Sequence, residues 1–428
     1  REVNARLTER ATSSSSPRST EALPQFSEAR DAMPVDRSPL LPAGDDSAPR
    51  IKLVDNMKAA LICCVVLYHT AVVYTSADRP ESPIPGFSGL MMVLKPVVMP
   101  GFCVISGFLS RADLDRRRAM KQWQLATVYV VFQALYFLNN LATYRLAGFP
   151  FDALPVQIFY SEVPVVTWFL FALAAWRTLL PVLVLLRAPL RLSLVVAHLA
   201  LYVDLRMNYQ NLLSFLPYFL GGFYLPPSLW ALLARPAPRL ALGGAFVAAT
   251  AASILWSWLS PNADGGFAAA FRRVSVTYNC FNGVAPSDEP AACAAADALP
   301  KRALFYLASA PLLAGFAAVL PQRHGVWTVP GLMSMYIYLL HPLLITNGLV
   351  MKVSFDALSR AYGREVNVWS PADRPSAFAV LAPASLAICA LLALPCVRAV
   401  CWPLVEPPTH LLFRPPPERD GTSPGYSI

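Results

Sequence analysis

The sequence predicts an all-α protein, a polytopic bundle of transmembrane helices with about ten spans. Three observations predict it. Hydrophobic residues make up 56 % of the 428-residue chain. Charged residues make up 14 %, about half the share of a soluble domain. The mean hydropathy is +0.46, and the apolar residues fall in runs near the ~20 residues that a bilayer-crossing helix needs.

Ten such runs can be read: 53–75, 88–110, 122–144, 164–186, 189–204, 209–225, 239–259, 301–320, 330–351 and 376–398. The second contains Lys95-Pro96 and Pro100-Gly101, a pronounced break. The third ends at Asn139-Asn140, which can cap it. The fourth holds Arg177 and Pro181, so it bends or turns a polar face into the bundle. The fifth and sixth are the shortest. The ninth carries His341-Pro342 near its middle. No internal repeat is visible. Outside the bundle, residues 1–50 are polar and Pro-rich, too poor in apolar area to fold, and read as a disordered tail. They contain no secretory signal pattern. The chain opens on Arg1 rather than Met, which leaves its natural start open. The membrane domain is expected over 51–403, with long loops at 260–300 and 352–375, followed by a Pro-rich tail at 404–428.

Charge sets the expected orientation. If the N-terminus is cytosolic, the short cytosolic loops carry Arg111, Arg116, Arg117, Arg118, Lys121, Arg187, Arg191, Arg235, Arg239 and Arg323. The opposite short loops carry Arg79, Arg145 and Arg206. That asymmetry predicts both termini inside. It also accounts for the net charge of +9 without nucleic acid, for which no signature is present. The eight cysteines form no metal pattern. Six lie in or beside apolar runs, where a thiol acts as a small hydrophobe. Cys280 and Cys293 share a long polar loop and could form a disulfide if that loop faces an oxidising space.

Lys58 and His69 carry the functional signal. They are eleven positions apart, about 1100° around a helix, or about 20° past three turns, so they share a face with about 16 Å of rise between them. Lys58 sits at the cytosolic rim, where it can snorkel and pair with Asp55. His69 sits about 9 Å from the luminal end. An ionisable group at that depth faces a partner or a wet cavity, and imidazole is the side chain suited to exchanging a proton near neutral pH. A histidine that merely hydrogen-bonds a neighbouring helix is the plainer alternative.

Asp-x-x-Lys followed by ten positions and His resembles the acyltransferase-3 membrane family, which usually has Arg where this chain has Lys58. The substitution keeps the charge and loses the planar fork. Four further segments support the resemblance: MPGFCVISGFLSR (Met99–Arg111), TWFLFALAAWR (Thr167–Arg177), FLPYFLGGFYL (Phe215–Leu225) and SMYIYLLHPLLI (Ser334–Ile345). The last two look closest to the fucose 4-O-acetylase-like branch. The resemblance covers roughly residues 50–400. It implies transfer of an acyl group, typically acetyl from cytosolic acetyl-CoA as co-substrate, to a carbohydrate or glycoconjugate hydroxyl across the membrane. The family's catalytic His falls on His69 and its first-helix cation on Lys58. Its Arg-x-x-Arg pair falls nearest to Arg118-x-x-Lys121.

The remaining candidates follow from position. Arg116, Arg118 and Lys121 lie in a basic cytosolic loop suited to the donor's phosphates, although positive-inside bias and lipid headgroups also explain such a loop. Lys95, Asn139, Glu162 and Trp168 lie near the expected depth of His69, where the acceptor would bind. Trp168 could equally belong to the aromatic belt. Lys95 is a cation that would bear on the charge of His69. Ser106 and Gly107 allow close helix approach. His341 is read as structural, its ring satisfying a carbonyl near Pro342. No permanently bound cofactor and no metal is expected. Two other functions compete: a sugar or lipid transporter or flippase using His69 and Lys95 as a proton relay, and an inactive structural relative.

Overall fold

The computed structural model describes residues 51–75, 87–113, 116–146, 167–200, 207–259, 295–346, 359–360, 363 and 374–408. Residues 1–50 and 409–428, most of both long loops, Glu162, Cys280 and Cys293 therefore lie outside the described residues, and the C-terminal tail expected from 404 begins instead past a helix that runs to Val405. The described elements are helices, and no strand occurs among them: α1 Lys52–Thr75, α2 Phe87–Phe108, α3 Arg116–Leu146, α4 Trp168–Leu183, α5 Pro189–Leu199, α6 Met207–Phe223, α7 Pro227–Ala234, α8 Pro236–Leu259, α9 Ala295–Val319, α10 Thr328–Leu332, α11 Ser334–Thr346, α12 Arg374–Leu392 and α13 Pro395–Val405.

A helix lies under each of the ten apolar runs, but they differ in their fitness to cross a bilayer. Lys52–Thr70, Gly89–Phe108, Pro236–Leu259 and Arg302–Val319 are long and apolar enough alone. Two expectations need correction. The run at 376–398 is not one helix: α12 and α13 meet at a bend of 73°, because Pro395 supplies no N–H to continue α12 and instead starts α13 at its first turn. The two together make a fifth candidate. The run at 189–204 is an α-helix over only 11 residues, about 16 Å and too short to cross alone. The ninth run is also divided, with Met333 separating α10 from α11.

α1 is the hub, packed against α2, α10, α11 and α12. A large core beside it contains Phe132, Trp176, Phe215, Phe219, Ile337 and Leu339. A second, containing Leu53, Met57, Leu61, Val97, Ile105 and Phe316, binds α1 to α2 and α9. The outer faces are apolar too: Leu240, Val247, Leu255 and Leu259 of α8 are all exposed. An exposed apolar stripe on a long helix faces lipid in a membrane protein.

Close backbone approach fixes the α2–α6 pair. A Cβ on Gly107 would lie 1.8 Å from the Phe219 carbonyl oxygen, and one on Gly222 would lie 2.0 Å from that of Val104. Each helix contributes a glycine where the other presents a carbonyl. Such small residues let membrane helices pack without a hydrophobic drive between them.

Candidate active site

The N-terminal end of α1 is held by a hydrogen-bonded latch. Asn56 donates from Nδ2 to the carbonyls of Pro321 at 2.7 Å and Arg323 at 3.0 Å. The Thr328 hydroxyl donates to Asn56 Oδ1 at 2.7 Å and accepts from the Gly325 N–H at 2.9 Å. The turn between α9 and α10 is thereby fastened to α1. Beside the latch, Lys58 Nζ lies 3.3 Å from Asp55 Oδ1. His324 Nε2 stands 3.8 Å from the other carboxylate oxygen. Lys58 is thus half of an ion pair at the rim of the bundle, half-buried rather than projecting freely.

One face of α1 leads from Lys58 to His69, which is half-buried. Its ring centroid is 5.4 Å from that of Tyr68 and 5.3 Å from that of His341. His341 on α11 has no exposed surface. Its Nδ1 lies 2.8 Å from the Ile337 carbonyl oxygen. A carbonyl can only accept, so Nδ1 carries the proton and the lone pair of the neutral ring falls on Nε2. That nitrogen is buried without a hydrogen-bond partner. His341 therefore holds a buried, unpartnered lone pair on a ring packed beside His69. The ring does satisfy a carbonyl, as a structural histidine would, yet it also forms one wall of the site. Pro342, which cannot donate to the Tyr338 carbonyl, relaxes the helix at this point.

Lys95 of α2 completes this end. Its Nζ is 5.9 Å from the centroid of the Tyr68 ring, within cation–π range. Tyr136 of α3 donates its hydroxyl to the Leu339 carbonyl at 2.6 Å, tying α3 to α11 two residues before His341. The Thr167 hydroxyl lies 3.2 Å from Gln133 Oε1, and Gln133 Nε2 donates to the Tyr129 hydroxyl at 3.0 Å. Lys95, Tyr68, His69 and His341 thus form one continuous group drawn from three helices.

Other sequence candidates sit elsewhere. Trp168 is 4 % exposed and packs on Phe215 at 5.1 Å and Phe169 at 5.9 Å. It is a core residue, neither an open sugar platform nor an interfacial anchor, because the start of α4 is covered by α6. Asn139 is half-buried in the last turns of α3. Arg118 is taken up locally by Asp113, through its carboxylate and through its carbonyl at 2.9 Å. Lys121 is exposed, and the Arg116 side chain lies outside the described residues. The described residues of the basic loop therefore do not converge on one point. Ser106 offers its carbonyl to the Ser110 hydroxyl at 2.7 Å. Among the described residues no group of three His, Cys, Asp or Glu is placed to hold a metal.

Sequence reasoning gave no role to His324, missed Tyr68 and Tyr136, and did not place His341 against His69. The YLLHPL motif marked His341, but nothing local marks which ring it meets.

No curated protein and no solved structure matches this chain. A family model describing an acyltransferase domain matches residues 51–394, from the start of α1 to the end of α12. Together with the apolar helices, this makes the chain an integral membrane acyltransferase, a member of the acyltransferase-3 family.

Proposed function

We propose that this protein is an O-acyltransferase that takes an acyl group, acetyl in the simplest case, from cytosolic acyl-CoA. It passes the group to a hydroxyl of a carbohydrate or glycoconjugate on the far side of the membrane, with His69 as general base. The observation that carries the reading is the pairing of His69 and His341 at 5.3 Å, on the face of α1 whose other end bears Lys58.

A sugar hydroxyl is a weak nucleophile until its proton is removed during attack. In the proposed step its oxygen bonds to the thioester carbonyl carbon while His69 takes the proton. The C–S bond then breaks, and the leaving thiolate recovers that proton from the imidazolium. The products are an ester and CoA thiol. His341 Nε2 offers a fixed acceptor toward the group that His69 forms when it is charged. The ~16 Å between Lys58 and His69 along α1 is comparable to the length of a pantetheine arm. A donor whose phosphates stay at the cytosolic rim can therefore present its thioester at the depth of His69. The acceptor approaches past Lys95 and the end of α3. The positive-inside count supports cytosolic termini.

The test uses the full chain reconstituted in vesicles, with acetyl-labelled acetyl-CoA on one side and a mixture of simple glycosides on the other. Wild-type protein is expected to label the glycosides, and His69→Ala to bind CoA without transferring. Transfer by His69→Ala at the wild-type rate overturns the assignment. Vectorial movement of unlabelled glycoside without acetylation supports the relay reading of His69 and Lys95 instead.

A further inference from the structure

We infer that Arg177 is an anion-binding residue and that it forms, with Ser110 of the α2 terminus and Gln122 of α3, a site for a phosphate group at the cytosolic side of α4. The identity of the donor as acyl-CoA rests on the function proposed above, but the phosphate site does not.

Arg177 lies six residues before the end of α4, about 9 Å into the helix, and is half-buried. A cation at such a place in an apolar helix is expensive unless something compensates it. Its one polar contact among the described residues is Nε to Ser110 Oγ at 3.2 Å. That hydroxyl spends its own proton on the Ser106 carbonyl at 2.7 Å, so Ser110 accepts from Arg177 and orients it but brings no charge. Each carboxylate whose side chain is described is engaged elsewhere: Asp55 with Lys58, Asp113 with Arg118, Glu406 with Arg398. A guanidinium has five N–H donors in a planar fork, and the serine uses one.

Gln122 donates from Nε2 to the Ala174 carbonyl at 3.3 Å, three residues before Arg177 and on the same face of α4. One turn earlier on α3 stands Arg118, with exposed Lys121 beside it. The free N–H groups of Arg177 match phosphate oxygens in bidentate geometry, which Lys58 cannot offer. The phosphate comes from one of two sources: the acyl donor or an anionic lipid headgroup.

The experiment uses full-length protein in phosphatidylcholine nanodiscs. CoA binding is measured by calorimetry for wild type, Arg177→Gln and Arg177→Lys. Loss of a charge-assisted bond to an ionised group predicts at least about tenfold weaker CoA binding for Arg177→Gln, with Arg177→Lys in between. Phenylglyoxal labelling of Arg177 in the wild-type protein, read by mass spectrometry, is independent of whether the variants fold. CoA and inorganic pyrophosphate are each expected to slow it. If phosphatidylglycerol in the nanodisc protects Arg177 and CoA does not, the occupant is lipid. If pyrophosphate protects but CoA never binds wild type, the phosphate site stands and the donor reading fails. Arg177→Gln that binds CoA as wild type does, with labelling unchanged by CoA, pyrophosphate and phosphatidylglycerol, overturns the inference.

Discussion

Replacing Gly107 by alanine tests whether the α2–α6 contact sets the geometry of the site. The added Cβ would sit 1.8 Å from the Phe219 carbonyl oxygen and 2.9 Å from the Phe223 nitrogen. Both obstacles are backbone, so no side-chain rotation relieves them. Restoring an ordinary separation of about 3.4 Å requires the helices to part by about 1.5 Å. Overpacking of this kind costs about 1–3 kcal/mol, and two rigid backbones place Gly107→Ala at the upper end. The displacement also moves Lys95 and Ser110, both on or next to α2. Misplacement by ~1 Å is enough to cost about 100-fold in rate. The control is Gly221→Ala on α6, where a Cβ meets nothing within 4 Å and helix propensity favours alanine by up to about 1 kcal/mol. The assays are SDS-induced unfolding in mixed micelles and acetyl transfer by the folded fraction. Gly107→Ala with the unfolding free energy and rate of Gly221→Ala would refute the reasoning.

Three further outcomes are expected. His69→Ala should lower acetyl transfer by about 10²–10⁴-fold, the range for a lost general base, with CoA affinity unchanged by calorimetry. His341→Phe fills the space but removes the Nε2 acceptor. It should lower kcat by about tenfold, the worth of one hydrogen bond, and change the pH–rate profile, whereas a purely packing role leaves that profile where it was. Thr328→Val removes the donor to the buried Asn56 Oδ1 and should destabilise by about 1–3 kcal/mol in the same unfolding assay, with little effect on kcat because the latch is at the opposite end of α1 from His69.

Local periodicity made much of this molecule legible. A stripe of eleven residues on α1 requires only helix geometry, so Lys58 and His69 could be placed on one face, and Asp55 beside Lys58, without knowing any neighbour. Hydropathy likewise located a helix under every apolar run. What it could not locate were the breaks. Pro395 and Met333 divide runs that look continuous by composition, since a bend costs no hydrophobicity. Tertiary partners were harder still. His69 meets His341, and Asn56 meets Thr328, across most of the chain, and nothing local in the sequence encodes such a distance. Trp168 shows the same limit. A tryptophan at the start of a helix fits an aromatic belt, a sugar platform or a core, and only the position of Phe215 decides among them.

The basic residues show why counting charges does not by itself find a ligand. Lys58 is neutralised by Asp55 and Arg118 by Asp113. Arg239 donates to the carbonyls of Ala318 and Leu320 at 2.9 and 3.1 Å, capping the end of α9 where unsatisfied carbonyls collect. Arg302, fully buried, donates to the carbonyl of Ala197 on α5. Each of these cations serves folding: it cancels a carboxylate or closes a helix end. A phosphate arriving at any of these cations competes with those tasks. Among the described residues Arg177 has no such task beyond its serine. That contrast is why the anion site proposed above is placed at the arginine inside an apolar helix rather than at the conspicuous cluster in the loop. Selection for charge in a loop is satisfied by topology alone, whereas a cation within a membrane helix needs a reason of its own.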